Sequence, residues 1–573
     1  MSSIRFFSFV VVGSASIASV ALVFGGVGAC GTNASAPGAA DATATGEDAA
    51  TSLGNDAPDA GTASSDDAFT TTTSDASASR WCVGAGGEGG VSKWVYAAGD
   101  GGLAYAALSD AGDRILDFSY AGYGGGGVAI PNAPVAQTVA PSGGDDTAAI
   151  QAAIDAVAKL PLTNGVRGAV LLKAGTFELA GSLSIAASGV VLRGSGSGSG
   201  GTLVNVTGSP RNAISFAGTG SYSMQGTAAK ITDAYVPSGT RTFHVDSTSG
   251  LAVGKPVLVV RPVTQAWIDF MGMNTLVRNG SPQTWIAAGS TIPSDRIIEA
   301  IDGDTVTVDA PLSDSLDAKY VSPPGATVQE YSFAGRIEQV GLESMHVVAP
   351  KQVVMISEPT FSFVSMNAVL NGWIRDVVGE DFTNGIALGS TAKWVTIEDS
   401  SMLRSQPIDA DAGLPFHISV DGQQTLVQRS TTQASDMFAY ATMGRAPGPN
   451  VVLELVATGT PMHVQPHMRW ATGLLSDNVS VPQGTIDYIN RGSDGSGHGW
   501  AIGFGVVWNS SATSLTMMQP PGSENWAIGT TGTFAKTDTG MVDSPGKPVV
   551  PKSLYLAQLC ERLGPQAIAN IGY

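Results

Sequence analysis

Residues 143–161 read GGDDTAAIQAAIDAVAKLP, and residues 168–204 read GAVLLKAGTFELAGSLSIAASGVVLRGSGSGSGGTLV. In the first stretch Ile150, Ile154 and Val157 recur at helical spacing and a proline follows. This predicts one short amphipathic helix over 147–160, capped by Asp146 or Thr147. In the second stretch, short apolar runs alternate with Gly and Ser turns, which predicts closely spaced strands that are too short for βαβ units. One helix followed by many short strands therefore indicates an all-β fold.

A repeated phrase of two or three apolar residues, a polar pair and a small residue recurs along the chain. It occurs as LESMHVV at 342, IRDVVGE at 374, VTIEDSS at 395, LVQRSTT at 426, VLELVAT at 452, LLSDNVS at 474 and VVWNSSA at 506. One constant strand with variable loops produces such irregular offsets. We therefore predict a right-handed parallel β-helix, with the seven runs in one sheet and the helix covering its N-terminal end. Asp376, Asp399 and Asn478 share one place in the phrase, which predicts a ladder at a coil corner.

Residues 229–333 interrupt this rhythm. The stretches RTFHVDSTSGLAVGKPVLVVRP (241–262) and RIIEAIDGDTVTVDAPL (296–312) alternate apolar and polar residues between Gly-Asp turns. That pattern predicts a small antiparallel β insert. The predicted order is a lipoprotein signal peptide over 1–30, a linker over 31–80, the N-terminal cap and first coils over 81–228, the insert over 229–333, and the main coils with a C-terminal tail over 334–573.

The N-terminus predicts export. Arg5 precedes an apolar segment and small residues lead to Cys30, as in a secretory signal peptide, and Val27-Gly28-Ala29-Cys30 resembles a bacterial lipobox. We expect a lipid on Cys30, which would place the protein at the outer membrane or cell surface unless it is secreted. The linker is rich in Ala, Asp, Ser, Thr and Gly and lacks the apolar residues of a core. Cys82 and Cys560 remain for a disulfide, which their sequence separation alone does not decide.

Charge limits the partners. The net charge is −19 with 13% charged residues, which argues against nucleic acid and against an anionic membrane surface. We expect contact with the membrane only through the N-terminal lipid, and a monomer. An anionic ligand would need a local basic patch.

The segment 143–204 resembles the N-terminal cap and first coils of the pectate lyase superfamily, in particular its rhamnogalacturonase/epimerase-like branch. The DDTAAIQAAID helix, the AGTFEL turn and the GVVLRGSG return carry this resemblance. It implies a carbohydrate-active protein on a parallel β-helix, with a polysaccharide, most simply an acidic one, as partner. It does not imply one reaction, because this fold is used for lyases, hydrolases, epimerases and tailspikes.

The candidate site is a concentration of histidine, arginine and tryptophan near the C-terminal coils. Four of the six histidines lie between 417 and 498, and PHMRWATGLLSDN (466–478) precedes NRGSDGSGHGW (490–500) by one predicted coil. We predict one shared groove. The predicted catalytic residues are His498, Arg491, His467, Arg469 and Asn490, and the predicted substrate-binding residues are Trp470, Trp500, Asp494, His417, Arg445 and Asn525.

Three functions fit these residues. Cleavage of a uronic acid polymer by β-elimination needs a cation for the carboxylate, a base and an acid, which Arg, His and Asn supply. A glycoside hydrolase is the alternative, because GSGHGWAIG (495–503) resembles the Gly-His-Gly stretch of polygalacturonase-like enzymes. The Asn-Thr-Asp and Arg-Ile-Lys motifs of those enzymes are missing at the expected places. A non-catalytic glycan-binding β-helix is the third.

No cofactor is certain, and the acidic pairs at 380–381 and 398–399 leave Ca²⁺ open.

Overall fold

The computed structural model describes residues 78–83, 89–99, 101–407, 409, 413–534 and 540–573. The predicted signal peptide, the lipidation site Cys30 and all but the last residues of the predicted linker lie outside these ranges, and they stay predictions.

Short parallel strands form a coil with three sheets, here called sheets I, II and III. Long bent strands contribute to two sheets at once, and each strand pairs with the equivalent strand of the next coil.

Sheet I contains Val135–Val139, Gly168–Leu172, Val190–Arg193, Ile337–Val348, Val369–Glu380, Lys393–Glu398, Leu426–Gln428, Pro447–Leu453, Ala471–Asp477, Ile502–Gly503, Gly505–Trp508, Asn525–Ile528 and Met541–Asp543. Sheet II contains Gly175–Leu179, Thr202–Val206, the second halves of Ile337–Val348 and Val369–Glu380, Ser401–Leu403, Thr431–Gln433, Val456–Thr458, Ser480–Tyr488, Ser511–Met517 and Thr531–Phe534. Sheet III contains Leu183–Ile185, Asn212–Ala217, Ser362–Asn367, Asn384–Leu388, Ile418–Val420, Met437–Thr442, Met462–Val464 and the second halves of the last three strands of sheet II.

The predicted β-helix is confirmed. All seven repeated runs begin in sheet I, and each of the first six is paired in parallel with the run of the next coil. The chain then turns from sheet I to sheet II at a residue with positive φ, which is Asp376 at 53°, Asp399 at 50° and Asn478 at 52° in three of the coils. Asp and Asn tolerate this left-handed conformation better than most residues. The predicted corner position of these three side chains is therefore confirmed.

Helix α1, Thr147–Val157, covers the N-terminal end of the coil. Ile150, Ile154 and Val157 are buried in the same core as the inward side chains of the first coils. The helix ends three residues before the predicted position 160. Asp146 makes no side-chain capping bond to it, and the carboxylate of Asp145 instead accepts from the backbone N–H of Thr147 at 3.0 Å. Without this helix the first coil would expose a sheet edge and the apolar core.

The outer face of sheet I is covered by both ends of the described chain. The described residues between 78 and 131 and the two C-terminal helices, Leu554–Leu563 and Pro565–Asn570, pack there on apolar side chains that include Trp508 and Trp526. Cys82 and Cys560 form a disulfide with a Cα–Cα distance of 5.3 Å. The sequence separation of 478 residues could not predict this bond. The two cysteines meet because both ends of the described chain return to the same face of sheet I. The remaining elements here are Gly90–Val91 paired with Val549–Val550, Val95–Ala97 paired with Leu103–Tyr105, two short 3-10 turns at Ser79–Trp81 and Tyr123–Gly125, α4 at Leu554–Leu563 and α5 at Pro565–Asn570.

The insert leaves the coil after the strand Asn212–Ala217 and returns at Ile337–Val348. Its main sheet has seven antiparallel strands: Ser223–Met224, Ala229–Lys230, Thr242–His244, Pro256–Pro262, Thr291–Asp302, Thr305–Val308 and Thr327–Ser332. The strand pairs Tyr235–Val236 with Leu316–Asp317 and Val277–Arg278 with Ser281–Pro282 flank it, together with helices α2 (Gln265–Phe270) and α3 (Ala318–Val321). The insert has its own apolar core, which includes Val257, Val306 and Val328.

Among the residues that the structure describes, none of the helices combines the length and apolar character needed to cross a membrane.

Candidate functional site

The insert lies against the turns that lead from sheet III to sheet I. These turns, here called the rim, comprise residues 389–392, 421–424, 443–446, 465–470 and 489–501. The guanidinium of Arg296, in the insert strand Thr291–Asp302, donates to the carbonyl of Gly448 at 2.7 Å, and the indole N–H of Trp285 donates to the carbonyl of Trp500 at 3.1 Å. The contact line between this insert and the coil, formed by the rim and by the first residues of the sheet I strands, is called the seam below.

His467 and His498 lie together on the rim. Their ring centroids are 4.5 Å apart, and the two residues are only 6% and 5% exposed. His467 follows the sheet III strand Met462–Val464, whereas His498 comes from the Gly-rich turn of the next coil. The backbone N–H of Arg469 donates to the carbonyl of His498 at 3.0 Å, which holds the two turns in register. The predicted closeness of these histidines is observed.

Arg491 fixes the tautomer of His467. Its Nη1 lies 3.0 Å from Nδ1 of His467 and 3.2 Å from the His467 carbonyl oxygen. Because a guanidinium only donates hydrogen bonds, Nδ1 must be the acceptor. The proton of the neutral ring is therefore on Nε2, and His467 offers a hydrogen-bond donor at that atom.

The histidines on the rim are uncharged at neutral pH. Burial, then the charge of Arg491, lowers the pKa of His467 well below its usual value. Burial lowers the pKa of His498 to about 3, with Arg491, Arg469 and Arg278 contributing through their charges. A base this weak accepts a proton poorly at neutral pH, because catalytic bases work best with a pKa near the working pH.

Three arginines follow one another along the rim. Besides Arg491, Arg469 donates to Ser496 Oγ at 2.7 Å and to the carbonyl of Trp285 at 2.8 Å. Arg445 donates to the carbonyl of Thr291 in the insert at 3.0 Å. Burial, then the charge of Arg445, lowers the pKa of Arg469, so these two cations are close enough to affect each other. The rim is therefore a basic strip in a chain of net charge −19.

A cleft of about 540 Å³ opens on the seam beside this strip. Asp421, Arg445 and Gln423 line it from the rim, and Thr291 and Pro293 line it from the insert. Burial raises the pKa of Asp421 to about 6, although the nearby charge of Arg445 opposes this rise. Asp421 is the one carboxylate and Arg445 the one cation among the residues that line the cleft.

Asp421 and His467 occupy equivalent places two coils apart. The backbone N–H of Met443 donates to Val420 at 3.1 Å, and that of His467 donates to Thr442 at 2.8 Å. Each coil step adds about 4.8 Å, so the two residues begin about 10 Å apart along the axis. The basic strip and the cleft thus belong to one continuous surface.

Some predicted site residues are placed elsewhere. Trp470 and Trp500 are only 2% and 8% exposed, because they pack with Trp267 and Trp285 where the insert meets the rim. Their predicted role as surfaces for sugar rings is wrong. His417 is also fully enclosed, and burial lowers its pKa to about 3.

The other predicted polar residues have mainly structural contacts. The side-chain oxygen of Asn490 accepts from the backbone N–H of Gly492 at 2.8 Å, which closes the turn. Asn525 is buried and donates to the carbonyl of Met518 at 2.8 Å. Asp494 lies on the surface, 3.6 Å from Nε of Arg491. Of these, Asp494 is exposed beside the strip, Asn490 is half-buried and Asn525 is buried.

Sequence reasoning missed Asp421 and a polar chain on the outer face of sheet III. In this chain His463 Nε2 lies 3.6 Å from Asp436, His463 Nδ1 lies 3.0 Å from the hydroxyl of Thr485, and that hydroxyl donates to Asp487. Asp421 directly follows the strand Ile418–Val420. This strand belongs to sheet III, as does the strand Met462–Val464 that precedes His467. That position becomes informative only when the register of the coils is known.

The acidic pairs considered for Ca²⁺ have other partners. Asp399 accepts from Arg429 at 2.8 Å, and Asp381 accepts from the Ser405 backbone N–H at 2.7 Å. Glu380 lies 2.9 Å from Nε2 of His346. Within the described ranges, no group of three His, Cys, Asp or Glu side chains could hold a metal ion. These residues do not fit a calcium site.

No family model matches this chain, and no curated protein matches it. The solved structures that resemble part of this chain include a phage tailspike, an epimerase module and a surface adhesin. The tailspike gp49 of Pseudomonas phage LKA1 is 12% identical over 70% of this chain and 71% of that chain, with a TM-score of 0.32. The Azotobacter vinelandii mannuronan C-5 epimerase AlgE6 A-module is 10% identical over 70% and 89%, with a TM-score of 0.31. PfbA, a surface adhesin of Streptococcus pneumoniae, is 12% identical over 72% and 77%, with a TM-score of 0.33. These likenesses are too weak to bear on activity, and the fold rests on the strand pairing described above.

Proposed function

We propose that the protein binds an acidic polysaccharide along the seam and cleaves it by β-elimination. The observation that carries this proposal is the content of the cleft, where one carboxylate with a pKa of about 6 faces one arginine. The basic strip next to it gives an acidic polymer a place to bind on an otherwise negative protein.

In this mechanism Arg445 pairs with the carboxylate of the reacting uronate. Neutralising that carboxylate makes the hydrogen at the adjacent carbon more acidic, and Asp421 removes it as a general base. A carboxylate with a pKa of about 6 is mostly ionised at pH 7 and still basic enough for this step. The electron pair forms a carbon–carbon double bond as the bond to the leaving oxygen breaks, and a proton from solvent completes that oxygen.

The histidine and arginine residues predicted from the sequence keep a binding role in this proposal. Arg469, which is half-buried, holds a neighbouring acidic sugar. Arg491, whose side chain is only 7% exposed, adds positive charge beneath the surface and orients His467. The base role considered for His467 or His498 passes to Asp421, because His498 has a pKa of about 3.

Hydrolysis is the less favoured reaction. It generally requires two carboxyl groups about 5 to 9.5 Å apart, one protonated and one ionised. Asp421 is the only carboxylate that lines the cleft.

The test is incubation of residues 78–573 with a panel of acidic and neutral polysaccharides. β-Elimination forms an unsaturated uronate, so ultraviolet absorbance should rise together with new reducing ends, and only for acidic polymers. New reducing ends without that absorbance would assign hydrolysis instead. Retention on an acidic polymer without any cleavage would assign a glycan-binding protein.

A further inference from the structure

A second cavity of about 320 Å³ lies farther along the seam. Pro293 of the insert strand Thr291–Asp302 lines the cleft, whereas Asp295 and Ile297 of the same strand line this cavity. Four residues of a strand span about 13 Å. The side chain of Gln423, which lines the cleft, accepts at 2.9 Å from the backbone N–H of Asp295, which lines this cavity.

The wall of this cavity contains one buried carboxylate and two buried cations, besides the exposed carboxylate of Glu338. Asp295 accepts from Lys393 Nζ at 2.9 Å, from Arg336 Nη1 at 2.9 Å and from the hydroxyl of Tyr331 at 2.8 Å. The side chains of Asp295, Lys393 and Arg336 are all at least nine-tenths buried. Charges buried in this way are normally balanced by partners.

The buried groups leave an excess positive charge. Burial alone would raise the pKa of Asp295, but the charges of Lys393 and Arg336 outweigh burial and lower it. Burial raises the pKa of Tyr331, so this phenol stays neutral and donates to Asp295. One negative charge therefore faces two positive charges. Glu338, the other carboxylate among the lining residues, is exposed.

Arg336 also has an unused donor. Its Nη2 donates to the carbonyl of Thr391 at 2.9 Å, but its buried Nε has no hydrogen-bond partner. A buried guanidinium N–H without an acceptor is costly, so the present partners of Arg336 do not fully satisfy its charge. Besides Tyr331, two aromatic rings line the same cavity: the Arg336 guanidinium carbon is 5.3 Å from the Phe333 ring centroid, and Lys393 Nζ is 4.5 Å from that of Trp394.

We propose that this cavity binds the carboxylate of one acidic sugar residue, with the carboxylate at Arg336 and Lys393 and the sugar ring beside Trp394 and Phe333. This inference deepens the proposed function, because it gives an acidic polymer a second attachment point on the same seam. The same chemistry fits a free uronic acid, so monomer and polymer are separate arms of the experiment.

The experiment measures binding of D-glucuronate by calorimetry to the Asp421→Asn variant, in which the cleft cannot carry out the proposed reaction. Leu370 lines the cavity and pairs with Lys393 across two strands. Leu370→Asp places a carboxylate opposite that lysine and should weaken binding at least tenfold. Glu338→Gln removes the exposed carboxylate and should strengthen binding by roughly 1.5- to 5-fold. Glu358→Gln makes the same chemical change at an exposed residue outside the lining and should change nothing.

Three results would overturn the inference: unchanged affinity in Leu370→Asp, equally tight binding of D-glucose, or equally tight binding of acetate. If Leu370→Asp does not fold, the comparison of Glu338→Gln with Glu358→Gln decides alone. An acidic polymer should bind at least as tightly as the monomer and show the same dependence on Glu338, and a polymer that does not would contradict a role in polymer attachment.

Binding and cleavage fail separately. If the wild-type protein cleaves no polymer but D-glucuronate binding still depends on residues 338 and 370, the reaction is wrong and the cavity assignment stands. If the protein cleaves an acidic polymer but neither substitution affects monomer binding, the cavity assignment is wrong and the proposed reaction stands.

Discussion

Asp421→Asn should make the protein more stable at pH 7 and less active. In the folded protein burial raises the pKa of this carboxyl from 3.8 to about 6. A group whose folded pKa is raised stabilises the fold below its unfolded pKa, and this contribution is lost as the pH rises through the folded pKa. At about 1.4 kcal/mol per pH unit, the ionised carboxylate costs the fold about 3 kcal/mol at pH 7. The neutral amide of Asn avoids that cost.

We therefore expect Asp421→Asn to unfold at a higher denaturant concentration than the wild type at pH 7, and the difference to disappear near pH 3, where Asp421 is protonated. Turnover of an acidic polymer should fall by roughly 10² to 10⁴, as for loss of a general base. The wild-type rate should rise between pH 5 and pH 7, and the residual activity of the variant should not.

The assays are chemical denaturation at several pH values and ultraviolet detection of the unsaturated product. Asp302→Asn, at an exposed position of the insert away from the cleft, is the matched control and should leave both measurements unchanged. A variant that is less stable at pH 7 but retains its activity would refute the reasoning, because Asp421 would then be a structural hydrogen-bond acceptor.

The remaining predictions concern the strip, the coil and the N-terminus. Arg491→Ala should raise KM for an acidic polymer about tenfold or more with a smaller change in kcat, because it removes a positive charge beneath the binding surface; equal KM would contradict its role in binding. Ile154→Asp should destabilise the protein by about 4 kcal/mol or more in denaturation experiments, because it places a carboxylate in the core under helix α1; an unchanged midpoint would mean that the helix does not seal the coil. Cys82→Ser should cost roughly 2 to 5 kcal/mol compared with the oxidised wild type, and reduction of the wild type should reproduce that loss. Cys30→Ser should release the protein from the membrane fraction, as cell fractionation can show, and unchanged membrane retention would argue against the lipid anchor.

The candidate site was only partly readable in the sequence. Concentration of rare residue types correctly brought His467, His498, Arg469 and Arg491 together, because equivalent turns of consecutive coils lie side by side. The same clustering of rare residue types led to a wrong prediction for Trp470, which was expected to bind a sugar ring. In the structure the insert covers it, and its indole N–H donates to Asp314 of the insert at 2.8 Å.

The sequence by itself determined the coil. Each repeated run carries its own apolar positions and its own corner residue, such as Asp376 or Asn478, so local spacing specifies strand, turn and stacking partner. Only the tertiary structure decided the chemistry. The pKa of Asp421, the tautomer of His467 and the burial of Trp470 depend on which groups the insert and the neighbouring coils bring within a few ångströms. Desolvation and charge act through space, and contacts between the insert and the rim join residues more than a hundred positions apart in the chain.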